Sequence, residues 1–369
     1  MRKFIIILTQ ISILSSSEII PFSIPTIDLD NRIDLQTTVD REEGVYLGHP
    51  TTVLLEDGQT ILTVYPKGHG KGAIVYKRSE DGGKTWSERL PVPPNWSTSK
   101  EVPTIHRVIG KEGEKRLIMW SGLYPARLAI SEDDGLNWSP LHPAGDWGGI
   151  VVMGFVEPLK NPGHYMAMFH DDGRFFTKDG QWTGIFTLYQ TNSIDGGITW
   201  SHPLPIYQNN EIQLCEPGLI RSPDGSQMAI LLRENSRTKN SHVMYSQDEG
   251  QTWSEPKELP RELTGDRHTG KYLDDGRLFI SFRDTAPNSP TQGDWIGWVG
   301  TFNDIVLGKP GEFRIRIKDN KHKWDCAYPG VEILPTGDIV TTTYGHWKEG
   351  ESPYILSVRF HIKDLKLNP

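Results

Sequence analysis

The chain has 369 residues, with 39 lysines and arginines against 47 aspartates and glutamates, a net charge of −8. That length fits two ordinary domains or one large all-β domain, and an acidic balance without a basic tract argues against a nucleic-acid partner. Two cysteines, Cys215 and Cys326, are too few for a disulfide framework and neither has metal-ligand spacing around it, while their pairing with each other stays open.

The first element is an N-terminal leader. Met1-Arg2-Lys3, an apolar run from Phe4 to Leu14 and Ser15-Ser16-Ser17 read as a secretory signal peptide over residues 1–17, so the protein is expected to be exported to a periplasm, a cell surface or the medium. No later segment is long and apolar enough to span a bilayer. Residues 18–40 read as an arm or extra strand, and residues 41–369 as one domain.

That domain is built from two interleaved repeats. The octet Ser-x-Asp-x-Gly-x-x-Trp occurs four times, at Ser79 to Trp86, Ser131 to Trp138, Ser193 to Trp200 and Ser246 to Trp253. Each copy has the chemistry of a tight turn: an Asp that accepts from backbone amides ahead of it, a Gly suited to positive φ, and a Trp to pack inward. The second repeat is an apolar strand, a polar turn and a returning apolar strand, found six times, at 46–65, 102–120, 150–170, 216–233, 268–283 and 328–344. Each of the first four hairpins is followed by an octet. The expected architecture is therefore an all-β, six-bladed β-propeller of four-stranded antiparallel blades, with the strand near 354–362 sealing the last blade against the first.

In such a ring one rim of the inner strands converges on a shared funnel. The strand starts there carry His49, Glu101, Met153, Glu216, Asp266-Arg267-His268, Asp325 and Tyr328, and the returning strands end in Lys67 and His69, Trp120, His170-Asp171-Asp172, Arg233-Glu234, Arg283-Asp284 and His346. Apolar strands that end repeatedly in acids, bases and arginines suit a charged or hydroxyl-rich ligand such as a sugar, with Trp120 and Trp298 as candidate stacking faces. The histidines at 49, 69, 170, 268 and 346 show no local metal spacing, so no metal or other cofactor is expected.

The octets resemble the Asp boxes of the sialidase superfamily, also called BNR repeats, and with six hairpins the resemblance extends over nearly the whole domain. It implies a tyrosine nucleophile paired with a glutamate, an aspartate acid/base and three arginines that clamp a substrate carboxylate. A neutral tyrosine avoids the repulsion that an anionic nucleophile would meet at a sugar carrying its carboxylate on the anomeric carbon. The segment Cys215-Glu216-Pro217-Gly218 matches the family's glutamate, Leu232-Arg233-Glu234-Asn235 its second arginine, and Ala327-Tyr328-Pro329-Gly330 its tyrosine. The first blade departs from the pattern, with Gly48-His49-Pro50 in place of the Arg-Ile-Pro and Lys67-Gly68-His69 in place of the acid/base aspartate. The arginine triad is therefore incomplete, and strict sialic acid specificity is not expected.

What this implies is an exported, exo-acting glycoside hydrolase for an acidic or modified sugar of a complex glycan. Tyr328 and Glu216 form the nucleophile pair, Asp325, Asp266, Asp171 or His49 supplies the acid/base, and Arg233, Arg267 and Arg283 hold the carboxylate. His268, Lys67, His69, Glu101, Asp171 and Trp120 complete the expected substrate contacts. Two alternatives remain: a polysaccharide lyase using His49, His268 or Tyr328 beside a uronate, and a glycan-binding propeller without turnover.

Overall fold

The computed structural model describes residues 18–122, 125–148, 152–176 and 181–366, so the signal-peptide reading at 1–17 lies outside the described residues. Alternating Ile, Leu and Val drive six antiparallel sheets whose innermost strands touch in sequence around a ring. Going outward, blade one is Thr51–Leu54, Ile61–Pro66 and Ile74–Ser79, and blade two is Thr104–Ile109, Lys115–Ser121, Arg127–Ser131 and His142–Pro143. Blade three is Met153–Pro158, Tyr165–Asp171, Thr187–Ser193 and Leu204–Gln208, and blade four is Leu214–Arg221, Met228–Glu234, His242–Ser246 and Lys257–Glu258. Blade five is Gly265–Tyr272, Leu278–Asp284, Trp295–Gly300 and Phe313–Lys318, and blade six contributes Gly330–Ile333, Ile339–Gly345 and Tyr354–Phe360. Among the described residues blade one has three strands rather than four. No helix among the described residues is long and apolar enough to cross a membrane.

Ring closure differs from the expectation. Tyr354–Phe360 does not seal against blade one: it pairs antiparallel with Gln36–Asp40, which supplies the fourth strand of blade six from the other end of the chain. The reason is edge protection, since the outward edge of Tyr354–Phe360 needs a partner and the arm provides one. A second piece of the arm, Thr26–Asp28, runs parallel to Phe313–Lys318 and makes blade five five-stranded.

Each octet works as a staple between blades. In the first copy Asp81 Oδ1 accepts from the amides of Lys84 and Thr85 at 3.0 and 2.9 Å, and Ser79 Oγ accepts from the Gly83 amide at 2.8 Å. The side chains of Asn137 and Thr252 likewise hold the carboxyls of Asp133 and Asp248 below the usual range. The tryptophan of each copy then packs on the preceding blade: Trp86 on Val340 of blade six, Trp138 on Tyr76, Trp200 on Trp120, with Trp253 Nε1 donating to Gln190 Oε1 at 3.2 Å. The octet glycine must be glycine for two reasons. At Gly83 φ is +79° and a Cβ would lie 2.7 Å from Val340 Cγ1; at Gly250 φ is +77° and a Cβ would lie 2.6 Å from Met166 Sδ.

Blade five has no octet because a helix, Phe302–Leu307, fills that corner. It is fixed by a reciprocal capping box between Thr301 and Asp304 and stopped by Gly308 in the left-handed region.

Candidate active site

Among the described residues, four inner strands begin with a non-glycine residue at positive φ: His49 at 55°, Glu216 at 51°, Arg267 at 56° and Ala327 at 56°. Bulges interrupt the pairing next to two of them, between Cys215 and Gly218 and between Asp266 and Thr269. A left-handed, bulged entry swings consecutive side chains out of strand alternation, at a cost of about 1–3 kcal/mol per site that the surrounding sheet must offset. Strain repeated at one rim marks where the backbone is shaped for something other than packing.

At the centre, Tyr328 of blade six donates its hydroxyl to Glu216 Oε1 of blade four. Arg233 Nη1 lies 2.7 Å from the same oxygen and 3.4 Å from the Tyr328 hydroxyl. Glu216 is 4% exposed, and its amide donates to His170 Nδ1 at 3.3 Å. Burial pushes the Tyr328 hydroxyl up, and the Glu216 charge adds to that, so the phenol is neutral. Burial pushes Glu216 up as well, but the Arg233 guanidinium and the Tyr328 hydrogen bond together overcome it and keep the carboxylate ionised. The arrangement is a neutral phenol facing a charged base.

Beside this pair, three arginines converge on Asp266, which has no solvent exposure. Arg233 Nε is 3.3 Å from Oδ1, Arg237 Nη2 is 2.8 Å from Oδ2, and Arg283 Nε donates to Oδ2 at 2.9 Å. Arg283 also sits over the Tyr328 ring, 5.9 Å from its centroid, and donates to the Trp324 carbonyl. Arg237 escaped the sequence reading. Its only signal is a position four residues beyond Arg233 at the same strand end, at φ 57°.

A second cluster surrounds Asp325. Its Oδ1 accepts from the hydroxyls of Tyr46 and Tyr344 at 2.8 and 3.1 Å, and His346 Nε2 lies 3.1 Å from Oδ2. The Tyr46 oxygen meets His69 Nδ1 at 2.7 Å, and the Tyr344 oxygen meets His49 Nε2 at 3.1 Å. His49 stands edge-on to the Tyr328 ring at 4.7 Å and to His69 at 4.8 Å, which ties this cluster to the first. Burial holds His49 well below its ordinary value, so its ring is neutral. His69 is 69% exposed and stands at the mouth. Next to it in space lies Glu101, whose carboxyl is pushed up to about 7 by burial, against the pull of Arg174 and Lys71.

Several expected contacts are corrected. Asp266 is no acid/base: burial would raise it, but Arg233, Arg283 and Arg237 hold it ionised and occupy both oxygens. Asp325 is held far below the usual range, with the hydrogen bonds from His69, Tyr46 and His346 overcoming burial, so it has no proton to give at neutral pH. Asp171 is 2% exposed and its oxygens cap a loop, facing the amides of Arg174, Phe175 and Phe176 at 3.2–3.3 Å, while burial pushes its carboxyl up against those contacts. Arg267 does not join the other arginines. Its left-handed backbone turns it inward, where Nη2 donates to the Met153 carbonyl at 2.9 Å. His268 packs on Phe282 and donates from Nε2 to the Leu263 carbonyl at 2.9 Å, and Lys67 is paired with Glu42 at 2.9 Å. Trp120 is 1% exposed between Trp147 and Trp200, and Trp298 is fully buried, so neither meets a sugar. The half-buried ring at the rim is instead Trp324, with Arg237 over it at 5.4 Å. Cys215 and Cys326 are both buried and are not joined in a disulfide.

Comparison with known proteins agrees with this architecture. A BNR repeat-like domain matches residues 117–288. No curated protein matches the chain. Among solved structures, a protein of unknown function from Dyadobacter fermentans superposes with a TM-score of 0.67 at 15% identity, covering 88% of this chain and 97% of the other. The intramolecular trans-sialidase of Ruminococcus gnavus, solved with oseltamivir carboxylate, gives 0.59 at 14% identity, covering 88% and 96%. The NanB sialidase of Streptococcus pneumoniae gives 0.61 at 13% identity, covering 90% and 71%. With the six blades, the octets and these matches together, the chain has the six-bladed β-propeller fold seen in sialidases and carries a BNR repeat-like domain over residues 117–288.

Proposed function

We propose that the protein is an exported glycoside hydrolase that releases an acidic sugar from the end of a glycan. The observation that carries this reading is the hydrogen bond from the Tyr328 hydroxyl to a Glu216 carboxylate that this bond and Arg233 together keep ionised. A phenol too weakly acidic to ionise alone becomes a nucleophile when a base takes its proton as it attacks. In the reaction, Tyr328 Oη bonds to the anomeric carbon, its proton passes to Glu216, and the glycosidic bond breaks. The leaving oxygen takes the proton held by Glu101, whose carboxyl titrates near the working pH. Water then displaces the sugar from Tyr328, with the two carboxyl groups returning to their starting states.

The arginines support an acidic substrate. Arg233, Arg237 and Arg283 carry three positive charges against the two negative charges of Asp266 and Glu216, which leaves one net positive charge among these five groups in a largely desolvated place. Because Asp266 already takes part of each guanidinium, the site is not an empty clamp, and we expect ordinary sialic acid to be a poor substrate. Trp324 offers the sugar an aromatic face. Export rests on the basic and apolar sequence of residues 1–17.

The test is a panel of acidic glycans incubated with the purified protein and with Tyr328→Phe. Release of a free acidic sugar carrying solvent oxygen, absent in the variant, is expected. An unsaturated product absorbing in the ultraviolet would assign the protein to the lyases instead, and binding without turnover would make it a lectin-like propeller.

A further inference from the structure

The Asp325 cluster continues outward through His346 to His322. His322 lies in the segment between the outer strand of blade five and the inner strand of blade six, and His346 follows the second strand of blade six. The two segments are zipped together: the Lys321 amide donates to the His346 carbonyl at 2.9 Å, and the His346 amide donates to Asn320 Oδ1 at 3.0 Å. This brings one ligand atom each from His322, Asp325 and His346 within 4.8 Å of one another, with the two imidazoles 4.6 Å apart.

His346 Nδ1 faces the Glu351 carbonyl at 3.1 Å, and a carbonyl can only accept, so Nδ1 carries the hydrogen. Nε2 is thereby aimed at Asp325 Oδ2 at 3.1 Å, a contact that requires a proton or a metal ion between the two atoms. A proton would satisfy two acceptors. Here a third group, the imidazole of exposed His322, has a ring nitrogen within 4.8 Å of both other ligand atoms.

The outer contacts are those of a metal ligand set. A ligating histidine commonly donates its second ring nitrogen to a backbone carbonyl, and a ligating carboxylate is itself hydrogen-bonded. His346 meets the first condition through Glu351, and Asp325 meets the second through Tyr46 and Tyr344, both of which load Oδ1 and leave Oδ2 to the cluster. We propose that His322, Asp325 and His346 bind a divalent transition-metal ion of the zinc or cobalt type at the rim of the funnel. Two imidazoles and one carboxylate suit such borderline ions better than calcium or magnesium, and three protein ligands leave a position for water or a sugar oxygen. The exposed His322 side chain closes the remaining distance.

The test uses tag-free protein stripped with a chelator, then titrated with Zn²⁺ by calorimetry and with Co²⁺ by visible absorption. One ion per chain is expected, with d–d bands in the cobalt form. His322→Ala and His346→Ala should each weaken binding by about tenfold or more, and Tyr46→Phe by about tenfold through Asp325. His322 is exposed, so that variant keeps the fold, which circular dichroism checks. Absence of binding at millimolar metal, or equal affinity in wild type and His322→Ala, would overturn the proposal and leave His346 and Asp325 as a proton-bridged pair. None of these readouts depends on the hydrolase reading.

Discussion

The Tyr328 hydroxyl and the Glu216 carboxylate meet across the ring, although 112 residues separate them and they enter the funnel from blades six and four. Both residues reach that point from bulged or left-handed strand starts, Glu216 itself at φ 51° and Tyr328 directly after Ala327 at 56°. Removing either end should stop turnover with little change in packing. Tyr328→Phe and Glu216→Gln are each expected to lower kcat by about 10²–10⁴-fold on the substrate found by glycan screening. Full activity in either variant would exclude the tyrosine mechanism.

Asp266 should matter to stability as much as to activity. Its removal leaves Arg233, Arg237 and Arg283 facing one another around an unexposed position. Asp266→Ala is expected to cost about 3–5 kcal/mol, the usual penalty for breaking a buried ionic cluster. Denaturant unfolding measures it, and a loss below about 1 kcal/mol would mean that the arginines hold their places without Asp266.

Glu101 sets a pH dependence whose sign can be worked out. The folded carboxyl titrates at about 7 against an ordinary value of 4.5, so between those pH values the folded chain holds a proton that the unfolded chain has lost. Stability from this group is therefore highest below about pH 4.5 and declines as pH rises toward 7. Glu101→Gln should remove that decline and stabilise the protein at pH 8 by on the order of 2–3 kcal/mol. Under the hydrolase reading, the alkaline limb of kcat should fall near pH 7 in the wild type and vanish in Glu101→Gln. An unfolding free energy with the same pH slope in both proteins would remove Glu101 from this role.

The octet staples predict a purely structural effect. Gly83→Ala sets a Cβ against Val340 at positive φ, on the seam between blades one and six. It should destabilise by about 1–3 kcal/mol through overpacking and backbone strain while leaving kcat of the folded fraction unchanged. Thermal unfolding with a parallel activity assay checks both halves of the statement.

The ring itself was legible because each blade repeats the same physical solution. Alternating apolar strands announce the hairpins, and the Ser, Asp, Gly and Trp of the octet are each demanded by a separate contact. Where a blade solves its corner differently, by the capped helix of blade five or by the arm strand of blade six, the octet is missing. Glu216, Arg233 and Tyr328 could be read because each stands in a recognisable strand-start or strand-end segment. The neighbours Asp266 and Arg267 could not be sorted, because one left-handed residue sends them apart, the first into the arginine cluster and the second toward Met153. Trp120 misled for a simpler reason: near a strand end its side chain still points between blades, and nothing in the sequence distinguishes that from a place at the rim.

The arm strand Gln36–Asp40 has a consequence for how the protein is made. Its partner Tyr354–Phe360 lies more than three hundred residues later, so the ring stays open until nearly the whole chain is available. Closing so long a loop is slow, and until it happens Tyr354–Phe360 exposes an unpaired edge that invites association with other chains. Loss of residues 36–40 should therefore show first as aggregation during folding rather than as a defect in the finished funnel.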